Sequence, residues 1–262
     1  MNNPVAQHRI DFLGCPLDLL TPQELLEDAR HALRGERRLR VEGLNVAKLV
    51  DARSTPVLAR ALNDAERVHI DGAGISLGLK VLGVPAPPRR AGIDFLGDLC
   101  ALAAETGASV YLLGARRDVV ALTADHLRAR YPGLRIVGAR DGYFRPEEEA
   151  SVVESIRTSG ADLLFIGMSS PKKELLLQKH WPELGVKIGM GVGGSFDVLS
   201  GKLPRAPRWV QVIGMEWFFR LVLEPRRLLW RYVRTNAAYF FLLTFAKLRS
   251  IAQRRAGSRR NA

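Results

Sequence analysis

The chain has 262 residues, 47% of them hydrophobic, and a formal net charge of +12. That length and composition fit one large domain, or one domain with an appendage, and exclude a chain too polar to build a core. The two cysteines, Cys15 and Cys100, form no C-x-x-C pair, so nothing demands a bridge and a reducing compartment suits them.

The charge is not spread evenly. From Lys202 onward there are 14 Lys and Arg against 2 Asp and Glu, while the preceding 201 residues carry 25 of each sign. A neutral body with a basic tail suits nucleic acid, anionic lipid or a diphosphate substrate. No basic stretch followed by an apolar run opens the chain, and no signal peptide is expected.

In chain order, Arg9–Gly14 and Leu17–Leu20 read as a small hairpin broken by Cys15-Pro16. Thr21-Pro22-Gln23-Glu24 is a capping box with Pro at the first helical position, opening a helix over Pro22–Leu33. Leu39–Leu44 reads as a strand, and Val46–Leu62 as a helix with a restart at Ser54-Thr55-Pro56. Arg67–Ile70 is the next strand, followed by helices over Leu77–Leu82 and Phe95–Thr106. Ser109–Leu113, Leu134–Val137, Ala161–Gly167 and Val186–Met190 read as further strands. The helices Asp118–Tyr131, Pro146–Ser159 and Pro171–Trp181 lie between them. Strand and helix alternate throughout, which predicts an α/β fold: a Rossmann-like, mostly parallel sheet with helices on both faces.

The tail reads differently. From Trp209 it is helical in pattern and rich in aromatic residues and Arg, and Pro225 divides it into two helices. Only 12 uncharged residues separate Arg234 from Lys247, whereas a spanning helix needs about 20 apolar residues. An interfacial helix is expected instead. Tyr239, Phe240, Phe241, Leu242, Leu243 and Phe245 would lie in lipid, with the basic flanks on anionic headgroups. The division expected is residues 1–204 as the α/β body and 205–262 as a basic helical appendage.

Asp71 stands out among the residues that could carry chemistry. It ends the apolar run Val68–Ile70 and precedes Gly72-Ala73-Gly74. In a parallel sheet, ligands collect at the carboxyl ends of strands, and the glycines let the backbone turn and a ligand approach. The plainer reading is an Asp that caps the next helix. Gly189–Gly194 matches G-x-G-x-x-G after a strand, but no acidic residue follows about 20 positions on as a dinucleotide site requires. Its free N–H groups suit a nucleotide diphosphate, and close packing of turn on sheet would explain them equally well. Ser170-Pro171-Lys172-Lys173 opens a helix and suits an anion, or is a simple cap with two solvated lysines. Arg220, Arg227, Arg231 and Arg234 recur at helical spacings and could grip phosphates bidentately. No D-x-D pair, His/Cys metal spacing, G-x-S-x-G or P-loop is present. No cofactor or metal is expected, and a metal-free mechanism with Asp71 as base remains.

Taken together, these stretches resemble the WecG/TagA/CpsF family of bacterial glycosyltransferases from about Ile10 to Arg231. The likeness is carried by Asn45, Asp71-Gly72, Arg90 with Gly92 and Asp94, Gly114 and Gly142-Tyr143-Phe144. It continues through Gly167 with Pro171-Lys172 and Glu174, Gly191 with Gly193-Gly194, Phe196-Asp197 and Arg205-Ala206-Pro207. Glu216-Trp217 with Arg220 and Glu224-Pro225 with Arg227 complete it. The resemblance implies sugar transfer from a UDP-sugar to a polyprenyl-diphosphate-linked monosaccharide, with inversion and without metal. It places the enzyme on the cytoplasmic face of the bacterial inner membrane, with appendage arginines completing the site, and is compatible with a homo-oligomer.

In that reading Asp71 is the base. Arg220, Arg227 and Arg231, with Lys172, stabilise the departing UDP. Arg90 and Asp94 orient sugar hydroxyls or pair with each other. Asn45 and the Gly189–Asp197 turn line the donor pocket, with Gly72, Ser170, Gly191, Gly193, Gly194, Asp197 and Arg205 as further binding candidates. Two departures stand out: Gly43 where the family often has Thr, and Lys173 where it usually has Gln. The stretch Glu42–Lys48 is similar to the branch that builds xanthan-type exopolysaccharides, which transfers glucose to glucosyl-diphosphate-polyprenol in a β-1,4 link. The alternative donor is UDP-N-acetylmannosamine or its uronic acid, acting on N-acetylglucosaminyl-diphosphate-undecaprenol. A basic-tailed nucleic-acid binder is the non-enzyme alternative, but residues 209–249 are too apolar and aromatic for a disordered basic arm. A nucleotide-binding dehydrogenase lacks its ribose-binding acid.

Overall fold

The computed structural model describes residues 9–260. Six parallel strands form the central sheet, in spatial order β4-β3-β8-β7-β5-β6. They are β3 (Leu39–Leu44), β4 (Arg67–Ile70), β5 (Ser109–Gly114), β6 (Arg135–Arg140), β7 (Leu163–Gly167) and β8 (Ile188–Gly191). A hairpin of β1 (Arg9–Phe12) and β2 (Cys15–Asp18) lies beside the β4 edge, where Asp18 accepts the Val68 N–H at 2.7 Å.

The sheet is buried on both faces, so its central strands are apolar almost without interruption. On one face Val110, Leu112, Leu163 and Phe165 pack under α1 (Pro22–Leu33), α5 (Gly92–Thr106) and α6 (Arg117–Arg130). On the other, Tyr111, Leu113, Leu164 and Ile166 pack under α7 (Glu149–Thr158) and α8 (Lys172–His180). Beside them Leu44, Val68 and Ile70 meet α2 (Val46–Ser54), α3 (Pro56–Asp64), α4 (Ala73–Leu82) and the hairpin.

The expected elements form, with shifted bounds. The long helix after β3 breaks at Thr55, because the following Pro56 cannot donate an N–H to continue it. The helix after Asp71 begins at Ala73 rather than Leu77, so Gly72 is its N-cap. A single 3-10 turn over Pro146–Glu148 precedes α7. After the short α9 (Ser195–Leu199), the tail forms three helices: α10 (Arg208–Val212), α11 (Glu216–Leu223) and α12 (Pro225–Arg260).

α12 has two faces. Leu228, Thr235, Tyr239 and Leu243 recur at spacings of 7, 4 and 4 and are buried. Tyr239 and Leu243 join Phe12, Leu17, Ile75 and Leu79 in the core, and the Tyr239 hydroxyl donates to the Gly74 carbonyl at 2.8 Å. Trp230, Val233, Phe240, Phe241, Phe245 and Leu248 point outward, with Trp230 77% and Phe240 and Phe241 each 72% exposed. The aromatic run expected in lipid is thus divided: Tyr239 and Leu243 serve the core, and Phe240, Phe241 and Phe245 face out.

Candidate active site

β3 and β8 are neighbours whose chains leave in opposite directions. β3 runs on through α2 and α3 to β4, while β8 runs on to α9, which packs on α6 where Thr123 Oγ1 donates to the Phe196 carbonyl. Such a divergence opens a crevice at the carboxyl ends of the strands. Asp71 stands there, half-buried, directly after β4. It does not cap the helix that follows it, where Gly72 is the N-cap and no side chain bonds the first turn. Instead its Oδ1 accepts the N–H of Gly92 at 2.7 Å, the first residue of α5. The carboxylate thus faces the positive end of that helix. Asn45 caps α2, its Oδ1 accepting the Lys48 N–H at 3.0 Å, and its amide reaches Asp71 Oδ2 at 3.4 Å. Arg89 donates to the Asp71 carbonyl at 3.2 Å and pairs with Glu216 of α11 at 2.7 Å, tying the tail to this turn.

Gly43 makes the crowding around Asp71 tolerable. A Cβ there would stand 2.9 Å from Asp71 Cβ and 3.2 Å from both Asp71 Cγ and His69 Nε2. His69 is buried, its ring 5.7 Å from that of Phe95. Burial pushes the His69 imidazole below its ordinary range, against the pull of Asp71.

On the opposite face of the sheet lie four buried charges. Lys48 pairs with Glu42 at 2.7 Å and with Glu174 at 2.9 Å, and Lys173 contacts Glu174. Burial alone would raise the Glu174 carboxyl, but Lys48 and Lys173 outweigh it and hold the group well below the usual carboxylate range. Burial alone would likewise lower the Lys48 ammonium, and Glu174 and Glu42 reverse that. The aliphatic stem of Lys173 lies across Gly191, at the end of β8. Sequence reasoning missed Glu42, Lys48 and Glu174 as a group, and read Lys173 either as part of an anion-binding helix start or as a solvated lysine.

The glycine turn after β8 meets the tail. Gly193 takes a left-handed φ of 53°. A Cβ on Gly194 would meet the tip of the Arg220 side chain and stand 3.4 Å from Asp197 Oδ2, so the guanidinium of α11 reaches over this turn. The Arg220 Nε is buried without a hydrogen-bond partner. Arg205 pairs with Asp94 in the first turn of α5 at 2.8 Å, and its Nε also has no partner. Between the Asp71 turn and the glycine turn, Met190 Cε lies 3.8 Å from where a Gly92 Cβ would stand.

The family model described as the glycosyl transferase WecG/TagA/CpsF family matches residues 10–253. The chain belongs to this family. It is a glycosyltransferase, and the family implies a nucleotide-sugar donor and a polyprenyl-linked sugar acceptor. In this WecG/TagA/CpsF enzyme, Asn45, Gly72, Asp71, Asp94 and Arg205 gather at the ends of β3 and β4 and the start of α5, with Gly191, Gly193, Gly194, Asp197 and Arg220 around the end of β8. Arg90 does not pair with Asp94. It forms a two-point contact with Asp98, one turn further along α5, because Arg205 already holds Asp94. Ser170 precedes α8 with its hydroxyl oxygen buried and unpartnered, and Lys172 is exposed at the first position of that helix. Arg220 and Arg227 both reach Glu224, at 3.8 Å and 2.7 Å, and Arg231 lies 3.7 Å from Asp51 of α2. Among the described residues no group of three or more His, Cys, Asp or Glu is placed to hold a metal. No described helix is long and apolar enough to cross a membrane.

Proposed function

We propose that this glycosyltransferase is inverting and metal-independent, and that it moves glucose from UDP-glucose to glucosyl-diphosphate-polyprenol in a β-1,4 link. The setting is exopolysaccharide assembly on the cytoplasmic face of the bacterial inner membrane. The observation that carries the reading is the half-buried Asp71, oriented by the Gly92 N–H at 2.7 Å at a crevice between diverging strands. It takes the proton from the acceptor hydroxyl as that oxygen attacks the anomeric carbon and the bond to UDP breaks. General-base help of this kind is worth about 10²–10⁴ in rate.

The leaving diphosphate gathers negative charge, which fixed cations stabilise in a partly dry site. Arg220 is the first candidate, since it lies on the Gly193-Gly194 turn with a buried, unpartnered Nε. Arg227, Arg231 and Lys172 are the further candidates, and residues 205–262 act as the appendage that completes the site. The outward face of α12, with Trp230, Phe240, Phe241 and Phe245, supports peripheral binding to a bilayer. The binding of an interfacial helix scales with the apolar area it buries and with the attraction of its basic residues to anionic lipid. The stretch Glu42–Lys48, with Gly43 where the family often has Thr, supports the glucosyl branch.

The test is a panel of UDP-sugars offered with synthetic polyprenyl-diphosphate acceptors, scored by UDP release. UDP-glucose with a glucosyl acceptor should give the highest turnover. Preference for UDP-N-acetylmannosamine with an N-acetylglucosaminyl acceptor would move the enzyme to the other branch of its family.

A further inference from the structure

Val212 and Ile213 lie side by side at the corner between α10 and α11, and they are 85% and 62% exposed. Trp209, on the same face of α10 at spacings of three and four, is 67% exposed. Burying these side chains against hydrocarbon would be favourable, and a cluster of them left in water marks a contact surface.

The corner is fixed to the crevice. Arg89 donates to the Gln211 carbonyl at 3.2 Å and to the Asp71 carbonyl at 3.2 Å, so one guanidinium joins the end of α10 to the turn of the proposed base. Gly214 turns the chain with a left-handed φ of 74°, and a Cβ there would stand 2.7 Å from Ala73 Cβ. The corner therefore rests on the first residue of α4, two positions after Asp71. Arg205 and Arg220 flank it along the chain and both reach toward the crevice, Arg205 to Asp94 and Arg220 over the Gly194 turn. Each keeps a buried Nε without a hydrogen-bond partner. Unspent guanidinium N–H groups followed by an apolar surface match an amphiphile with a diphosphate at one end and hydrocarbon at the other.

We propose that the α10–α11 corner is the docking surface for the hydrocarbon chain of the acceptor. Trp209, Val212 and Ile213 seat the chain where it leaves the diphosphate, while the outward face of α12 meets the bilayer. This inference rests on the lipid-linked acceptor of the reading above.

The test uses the full chain in detergent, with the donor and acceptor sugars that the panel above selects. Two acceptors are compared: one with a polyprenyl chain, and one with the same sugar diphosphate on an alkyl chain too short to reach the corner. The readout is the ratio of their kcat/KM values. Val212→Ser combined with Ile213→Ser should lower the preference for the long chain by about 10-fold or more, since two aliphatic side chains lose their contact with hydrocarbon. Val212→Ser alone should lower it by less. Both positions are exposed, so the thermal midpoint should hold, and co-sedimentation with anionic vesicles should persist through α12. An undiminished preference in the double variant overturns the proposal. If vesicle binding is lost while the preference stays, the corner meets the bilayer instead; if the oligomeric state changes while the preference stays, it meets a second copy. A wild type that uses no lipid-linked acceptor overturns this inference and the reading above together, whereas a double variant that merely keeps the preference leaves that reading standing.

Discussion

Adding a single methyl group at Gly43 perturbs the proposed base without adding or removing a charge. The new Cβ of Gly43→Ala would stand 2.9 Å from Asp71 Cβ and 3.2 Å from His69 Nε2. Carbon atoms in contact sit about 3.5–4.0 Å apart, so a neighbour must move by about 0.6–1 Å. His69 is fully packed against Phe95, whereas Asp71 is half-buried at the end of its strand and yields first. Its movement stretches the 2.7 Å bond from Gly92. A shift of about 1 Å at a reacting group costs about 10²-fold in rate, and crowding of this kind costs about 1–3 kcal/mol of stability. The assay is UDP release at saturating donor and acceptor, run beside a thermal melt. UDP affinity should hold, because the Gly193-Gly194 turn and Arg220 lie at the end of β8. A folded Gly43→Ala protein with wild-type kcat would refute the claim that this contact sets the position of Asp71.

Three further outcomes follow from the same contacts. Lys48→Met leaves Glu42 and Glu174 buried without their shared partner and should cost about 3–5 kcal/mol in urea denaturation; an unchanged midpoint would contradict the network. The unfolded chain protonates His69 near about pH 6.5, whereas burial makes the folded chain resist that proton. The stability tied to His69 is therefore complete above that pH and lost as the pH falls below it. The thermal midpoint of the wild type should drop more steeply on acidification than that of His69→Phe, and matching slopes would count against a buried neutral ring. Replacing Phe240, Phe241 and Phe245 with Ser should abolish co-sedimentation with anionic vesicles, at about 1.5–3 kcal/mol for each side chain buried in lipid. The midpoint should not change, because all three face outward. Leu243→Ser should instead destabilise the fold, and vesicle binding that survives the triple substitution would remove this face as the contact.

The strands were legible because burial on both faces leaves no polar interruption in runs such as Ser109–Gly114 and Leu163–Gly167. The capping box at Thr21 and Glu24 is local chemistry and forms as expected. Asp71 was legible for a similar reason: an acid at the end of an apolar run, followed by glycine, is a local pattern with one good location in a parallel sheet. Contacts between residues far apart in the chain were not. Lys172-Lys173-Glu174 reads as an anion-binding or solvated helix start, and only the packing of α8 on α3 and β8 turns Lys173 and Glu174 inward toward Lys48. Arg90 and Asp94 looked like a natural pair until the tail brought Arg205 to Asp94. The aromatic run of α12 carries no mark that separates Tyr239 from Phe240; the difference arises from which side of the helix meets α4.

The central claim is that Asp71 takes the proton from the acceptor. Asp71→Asn keeps the shape of the side chain but removes its capacity to accept that proton. The direct measurement is turnover of UDP-glucose with glucosyl-diphosphate-polyprenol by the wild type and the variant, with UDP affinity determined on the same preparations. Turnover should fall by about 10²–10⁴ while UDP binds as before. A variant that binds UDP and releases it at the wild-type rate would contradict the account.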